Sequence, residues 1–231
     1  MTTNPVFTAC IPAAGQGQRM GASTPKQYLP LRGIPLIAHT LKKFDRVPSC
    51  QEIIIATDDQ SRLQKILAGF SWMKKITVVM GGPTRAESVV NMLEVVRRGT
   101  LVLVHDAARP CIRVDDIEQV ARAALLRGAA VLATPARDTL KKVNDDGCIV
   151  ATIDRAGMWH AQTPQAAYVD ELLPAYKESL ELGLNITDDI QVLEGSVTAA
   201  HVVPGHWSNL KITSPEDLPL AEAILAMEPD S

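Results

Sequence analysis

The sequence predicts an α/β fold with a mostly parallel, twisted sheet and a projecting β-hairpin arm. Short β-branched runs alternate with helix-periodic segments for most of the 231 residues. Several of those runs are apolar throughout, and one pair flanks a turn-rich tetrapeptide.

Residues 8–11 are the first strand, followed by a helix whose apolar positions Ile34, Ile37, Leu41 and Phe44 share one face. Residues 53–56, 77–79 and 101–104 are near-continuous apolar strands, as expected where helices cover both faces of a parallel sheet. A helix over 87–96 gathers Val89, Leu93 and Val96, and a second carries Ile117, Val120, Ala121, Ala124 and Leu125 at i, i+3, i+4, i+7 and i+8. Another buried strand covers 129–134. The rhythm breaks at 139–153, where two β runs flank Asn144-Asp-Asp-Gly147 as a hairpin. A hairpin has no place in a parallel sheet, so it is expected to project and to pack on a partner subunit. A strand at 210–213 and a helix with Ser214 as N-cap, Pro215 at its first position and Asp217 three after the cap complete the pattern. No repeat or linker divides the chain, and one domain over 1–231 is expected.

Composition narrows the function. A net charge of −3 and an aromatic share of 4% leave no broad basic face or stacking platform, so nucleic acid is not the expected partner. The apolar runs fall far short of the ~20 residues of a membrane helix, and no positively charged leader is visible. Cys10, Cys50, Cys111 and Cys148 are scattered without a Cys-x-x-Cys pair, which reads as reduced thiols in the cytoplasm.

Two constellations carry chemistry. Pro12-Ala-Ala-Gly15-Gln-Gly17-Gln-Arg19 follows the first strand directly, with Pro25-Lys26 a few residues on. Gly15 and Gly17 let consecutive amides converge on an anion, and Arg19 and Lys26 add charge, so the loop reads as a triphosphate grip. Met20 stands where a dinucleotide fold has its third glycine, and no Gly-Lys-Ser/Thr follows for a Walker loop. The second is His105-Asp106-Ala107-Ala108-Arg109-Pro110, after the strand at 101–104. Ligands of open α/β sheets bind at such carboxyl ends. There Asp106 can ligate Mg²⁺, and Arg109 can bind a phosphate through its planar fork.

With these motifs the chain resembles the 2-C-methyl-D-erythritol 4-phosphate cytidylyltransferases of the non-mevalonate isoprenoid pathway. The resemblance rests on Pro12-Ala-Ala-Gly-x-Gly-x-Arg19, Pro25-Lys-Gln-Tyr28, Gly81-Gly82, Arg85-x-x-Ser88-Val and Val104-His-Asp-Ala-Ala-Arg-Pro110. It continues through Arg137-Asp-Thr139, Asp154-Arg155, Trp159-His-Ala-Gln-Thr-Pro164, Ile186-Thr-Asp188, Asn209-Leu-Lys211 and Pro215-Glu-Asp-Leu218, nearly the whole chain.

The resemblance implies a Rossmann-like nucleotidyltransferase domain that moves CMP from CTP to methylerythritol phosphate and releases pyrophosphate. Arg19 and Lys26 match the pair that stabilises the five-coordinate phosphate, and Arg155 and Lys211 the pair that positions the acceptor. Ala13, Ala14, Gly15, Gly17, Gly82, Ser88, Asp106 and Ala107 match nucleotide-contacting positions; Asp106 also matches the metal-contacting aspartate. Arg109, Thr139, Thr163 and Thr187 match substrate-side contacts. The hairpin, with its flanks at 137–158, corresponds to an arm exchanged across a homodimer, so that Arg155 serves the neighbouring site. Pro83 stands where many members carry an aspartate, and Ser208 where some do. No general base is required, because the attacking phosphate is already ionised, and no Gly-x-Ser-x-Gly elbow occurs. The alternatives are a ribitol 5-phosphate cytidylyltransferase and a catalytically silent nucleotide-binding subunit.

Overall fold

The computed structural model of the protein describes residues 5–15, 24–196 and 198–227. The chain runs through β1 (Phe7–Pro12), the paired two-residue strands β2 (Pro30–Leu31) and β3 (Ile34–Pro35), α1 (Leu36–Asp45), β4 (Cys50–Thr57), α2 (Gln60–Ala68), β5 (Lys75–Met80) and α3 (Arg85–Leu93). It continues with β6 (Leu101–Val104), α4 (Val114–Arg127), β7 (Ala129–Pro135), β8 (Leu140–Val143), β9 (Ile149–Ile153) and β10 (Trp159–Tyr168). The last elements are α5 (Val169–Glu181), β11 (Ala200–Pro204) and α6 (Asp217–Met227).

One seven-stranded sheet has the order β11-β7-β10-β6-β1-β4-β5. Its strands are parallel except β10, which runs antiparallel to both neighbours. Successive side chains point to opposite faces, and β1 shows the result. Phe7, Ala9 and Ile11 pack with Ile37, Leu41 and Phe44 of α1, Leu63 of α2 and Ile117, Val120 and Ala124 of α4. Cys10 packs on the other face with Val89, Met92 and Leu93 of α3 and Leu172 and Tyr176 of α5. A third cluster seats Ala221 and Leu225 of α6 on Leu31, Leu36 and Ile212. The mostly parallel sheet between two helical layers is therefore as expected.

The hairpin β8–β9 forms its own two-stranded sheet and leaves most of its side chains exposed. Its tip is closed by Asn144, whose Oδ1 accepts from Cys148 N at 2.8 Å, and by Gly147 at φ +78°. Among the described residues no helix is long and apolar enough to cross a membrane.

Several boundaries differ from expectation. Ile34 lies in β3, and α1 begins only at Leu36, because the residue before Pro35 is kept out of the helical region. The third helix starts earlier than its hydrophobic spacing implied, since Thr84 and Glu87 form a reciprocal capping box, and it ends at Leu93. Leu125 is exposed at the margin of the α4 stripe. Residues 210–213 form no strand; they strap across the turn after β6, with the backbone bond Ile212 N to Ala108 O at 2.8 Å. Ser214 and Asp217 do make half of the expected cap, Ser214 N donating to Asp217 Oδ2 at 2.8 Å, while α6 itself runs from Asp217.

Candidate active site

The carboxyl ends of β1, β5 and β6 open onto a cavity of ≈ 180 Å³. The loop after β1 is held from both sides. Ala13 N donates to Ala56 O at 2.8 Å, extending the β1–β4 pairing, and the buried Gln27 donates from Nε2 to Ala13 O at 2.7 Å and to Gly15 O at 3.0 Å. On the facing loop a Cβ on Gly81 would stand 2.2 Å from Ala14 Cβ, and one on Gly82 2.4 Å from Glu87 Cβ. Neither position has room for a Cβ: at Gly81 the Ala14 methyl fills the space, and at Gly82 the Glu87 side chain and the Glu87–Ser88 backbone do. The buried Ser88 hydroxyl accepts from Gly82 N at 3.0 Å and donates to Thr84 O at 2.9 Å, so it shapes this turn.

Asp106 is the electrostatic centre of the opposite wall. Its Oδ1 accepts from Arg85 Nε at 3.1 Å, its Oδ2 lies 2.8 Å from Lys211 Nζ, and Arg109 Nε lies 3.6 Å from the same oxygen. Burial works against the ionised form, yet Arg85, Lys211 and Arg109 outweigh it and hold the carboxyl well below the usual carboxylate range. Backbone support comes from β10, whose register breaks between Ala161 and Gln165 and turns Thr163 toward the site. Thr163 Oγ1 accepts from Asp106 N at 3.1 Å and lies 3.1 Å from His105 Nδ1. His105 Nε2 is 3.2 Å from Arg109 O, which can only accept, so Nε2 carries the proton and Thr163 donates to Nδ1. Burial lowers the His105 pKa to about 4, and the ring is neutral near pH 7. Lys26 completes the wall, its Nζ donating to Ile212 O at 2.9 Å, one residue beyond Lys211.

Such a site, with small residues and main-chain groups on one wall and clustered cations on the other, can bind phosphate oxygens and offset charge that builds between them. The family model for 2-C-methyl-D-erythritol 4-phosphate cytidylyltransferase matches residues 7–227. The chain belongs to this family. A cytidylyltransferase of that name from Symbiobacterium thermophilum is 42% identical over 220 residues, covering 94% of this chain and 92% of the relative. One from Haemophilus influenzae (strain PittEE) is 44% identical over 218 residues, covering 94% and 95%. Among solved structures, the 4-diphosphocytidyl-2C-methyl-D-erythritol synthase of Anaerococcus prevotii superposes with a TM-score of 0.84 at 31% identity, covering 96% of this chain and 97% of that one. The cytidylyltransferase of Thermus thermophilus gives 0.79 at 31% identity, covering 96% and 100%. This chain is thus a nucleotidyltransferase enzyme.

Within this cytidylyltransferase fold, Ala13, Ala14, Gly15, Lys26, Gly82, Ser88, Asp106, Ala107 and Lys211 all border this cavity. Gly17 and Arg19 lie outside the described residues. Thr163 and Arg109 sit behind the wall. Thr163 is occupied by Asp106 and His105, and Arg109 donates from Nη1 to Asn209 O at 2.7 Å. In this geometry both brace the turn after β6. Thr187 is exposed and bonds Gln191 Oε1 at 2.9 Å, and Thr139 and Arg155 are exposed on the arm, apart from the cavity wall.

Three residues that organise this site were not assigned from sequence. Gln27 clamps the glycine loop, Arg85 bonds Asp106, and the fully buried Asp189 pairs with Arg85 through both oxygens. Gln27 and Arg85 stand inside recognised motifs, which was the available signal; Asp189 carried none beyond its place next to Asp188.

Proposed function

We propose that this chain transfers CMP from CTP to 2-C-methyl-D-erythritol 4-phosphate, giving 4-diphosphocytidyl-2-C-methyl-D-erythritol and pyrophosphate. An oxygen of the acceptor phosphate attacks the α-phosphorus of CTP in line with its bond to the β-phosphate. That bond breaks, and pyrophosphate leaves with the electron pair. Both reactants are anions, so the barrier falls when fixed cations offset their repulsion and the charge of the five-coordinate state. Arg19 and Lys26 take that role, and Lys211 with a partner's arm residue, Arg155, positions the acceptor. Ala13, Ala14, Gly15, Gly17, Gly82, Ser88 and Ala107 frame the nucleotide, while Arg109, Thr139, Thr163 and Thr187 stand for the acceptor side. The observation that carries the reading is the convergence of Lys26, Lys211 and Asp106 on the cavity beside the glycine loop.

Mg²⁺, or another divalent cation, belongs to this proposal. Among the described residues no group of three or more His, Cys, Asp or Glu could hold a metal ion. Mg²⁺ bound with a nucleotide uses one or two carboxylates and takes its other oxygens from phosphates and water. A single ionised Asp106 on the cavity wall fits that mode, and a bound cation would supply further neutralisation of phosphate charge.

The chain is proposed to act as one domain that dimerises through the arm at 137–158. Val143, Ile149 and Val150 support this, being apolar and 52%, 64% and 55% exposed on the arm. Four free cysteines support a reducing, cytoplasmic setting. The test is a panel of Mg²⁺ with each nucleoside triphosphate and either methylerythritol phosphate or ribitol 5-phosphate. Pyrophosphate release is expected with CTP and methylerythritol phosphate. Release only with ribitol 5-phosphate, or CTP binding without turnover, would overturn the assignment.

A further inference from the structure

We infer that Arg85 is a positioning residue for the Asp106 carboxylate, and that Asp189, with Tyr176, fixes the plane of the Arg85 guanidinium. Arg85 is the first residue of α3, and the capping box of Thr84 and Glu87 fixes where that helix begins. Its guanidinium spans two carboxylates. Nη1 and Nη2 donate to Asp189 Oδ1 and Oδ2 at 2.8 and 2.7 Å, a fork-to-fork pairing, and Nε is left to donate to Asp106 Oδ1 at 3.1 Å.

Asp189 is fully buried, and the buried Tyr176 hydroxyl donates to its Oδ1 at 2.6 Å. The next residue is tied to the sheet, Ile190 N donating to Gln165 Oε1 of β10 at 2.8 Å. The two carboxylates therefore differ in role. Arg85 and Asp106 border the cavity, whereas Asp189 holds the guanidinium from behind. A guanidinium bonded at both Nη atoms cannot turn about its stem without breaking two charged hydrogen bonds, so the direction of its Nε–H is set.

The arrangement bears on the transfer reaction, and its kinetic consequence rests on the function proposed above. Lys211 is the close partner of Asp106 Oδ2, while Arg109 Nε stands at 3.6 Å and makes no hydrogen bond. When an incoming phosphate draws Lys211 away, Arg85 is the cation still hydrogen-bonded to Asp106. The carboxylate then keeps both its charge and its direction while the lysine serves the substrate.

The test is Asp189→Asn, which preserves size but removes the charge that orients the fork, with Arg85→Lys and the double variant. For Asp189→Asn we expect kcat to fall about tenfold while KM for CTP stays within about threefold. Adding it to Arg85→Lys should change kcat by less than about twofold, since Asp189 acts through Arg85. In parallel, the ¹³C resonance of the Asp106 carboxyl should move in folded Asp189→Asn protein. An unchanged resonance, a normal kcat, or a rise in KM alone overturns the inference. Should Asp189→Asn fail to fold, Tyr176→Phe removes a single donor. It should lower kcat about threefold and shift the same resonance in the same sense; a folded variant with the resonance unmoved also overturns it. If the unaltered protein releases no pyrophosphate from CTP, the proposed reaction is what fails, and the resonance still decides the positioning role.

Discussion

The ammonium of Lys26 lies 2.9 Å from the carbonyl oxygen of Ile212, whose chain neighbour Lys211 pairs with Asp106 at 2.8 Å. Two cations from opposite ends of the sequence are thus gathered by one short strap. Ile212 anchors that strap twice, through its buried side chain and through its N–H on Ala108 O.

Lys26→Ala should lower kcat by about 10²- to 10³-fold, the usual range for losing one preorganised group that meets transition-state charge. KM for the acceptor should move far less. Steady-state kinetics with both substrates varied is the check, and near-normal turnover in folded protein would contradict the role given to Lys26.

Arg155 and Lys26 offer a test of the arm. If the arm crosses to a partner, a mixed dimer of Lys26→Ala and Arg155→Ala chains contains one doubly altered site and one intact site. Random mixing of equal amounts should restore about a quarter of unaltered activity, because half of the dimers are mixed and half of their sites are whole. Activity no greater than the two variants measured apart would place each site within one chain.

Gly81→Ala should destabilise the protein by about 1–3 kcal/mol, because the new methyl would meet Ala14 Cβ at 2.2 Å and force the two loops apart. Removing the opposing methyl with Ala14→Gly should recover most of the melting temperature and of the CTP affinity. Failure of the double variant to recover either would show that the tight contact is not what excludes alanine.

His105 predicts an acid-side loss of stability. Burial lowers its pKa from the ordinary 6.5 to about 4, so between those values the unfolded chain binds a proton that the folded chain does not. Stability is then full above about pH 6.5 and falls as pH drops toward 4, by on the order of 3 kcal/mol. His39, also lowered by burial, acts in the same sense, so denaturant titrations should compare the protein with His105→Asn in metal-free buffer. The variant should be less stable at neutral pH but should show a shallower slope across that window. An equal slope would remove His105 as its cause.

Local chemistry made much of the site legible. Small residues after β1, the Gly81-Gly82 turn and the Asp106 turn are contiguous motifs with physical meanings of their own, and they meet at the predicted sheet edge. Long-range pairings were not legible in this way. Arg85 and Asp189 are 104 residues apart, and nothing in the periodicity of either segment names the other. Strand β10 escaped because its sequence, Trp-His-Ala-Gln-Thr-Pro-Gln-Ala-Ala-Tyr, has one β-branched residue and a proline at its register break. The segment at 210–213 misled for the opposite reason: it alternates like a strand but serves as a strap.

The reversed direction of β10 determines where variation is tolerated. Strand β7 leaves the catalytic edge at Pro135 and β10 re-enters at its partner Trp159, so everything between is a detour that begins and ends on adjacent rungs of one ladder. No crossover helix has to be threaded, and the pairing of both strands is complete without the detour. Lengthening, shortening or transplanting that segment would therefore leave the frame and the cavity wall untouched while changing only what projects from the sheet. The arm is the part of this architecture that can be exchanged between relatives as a cassette.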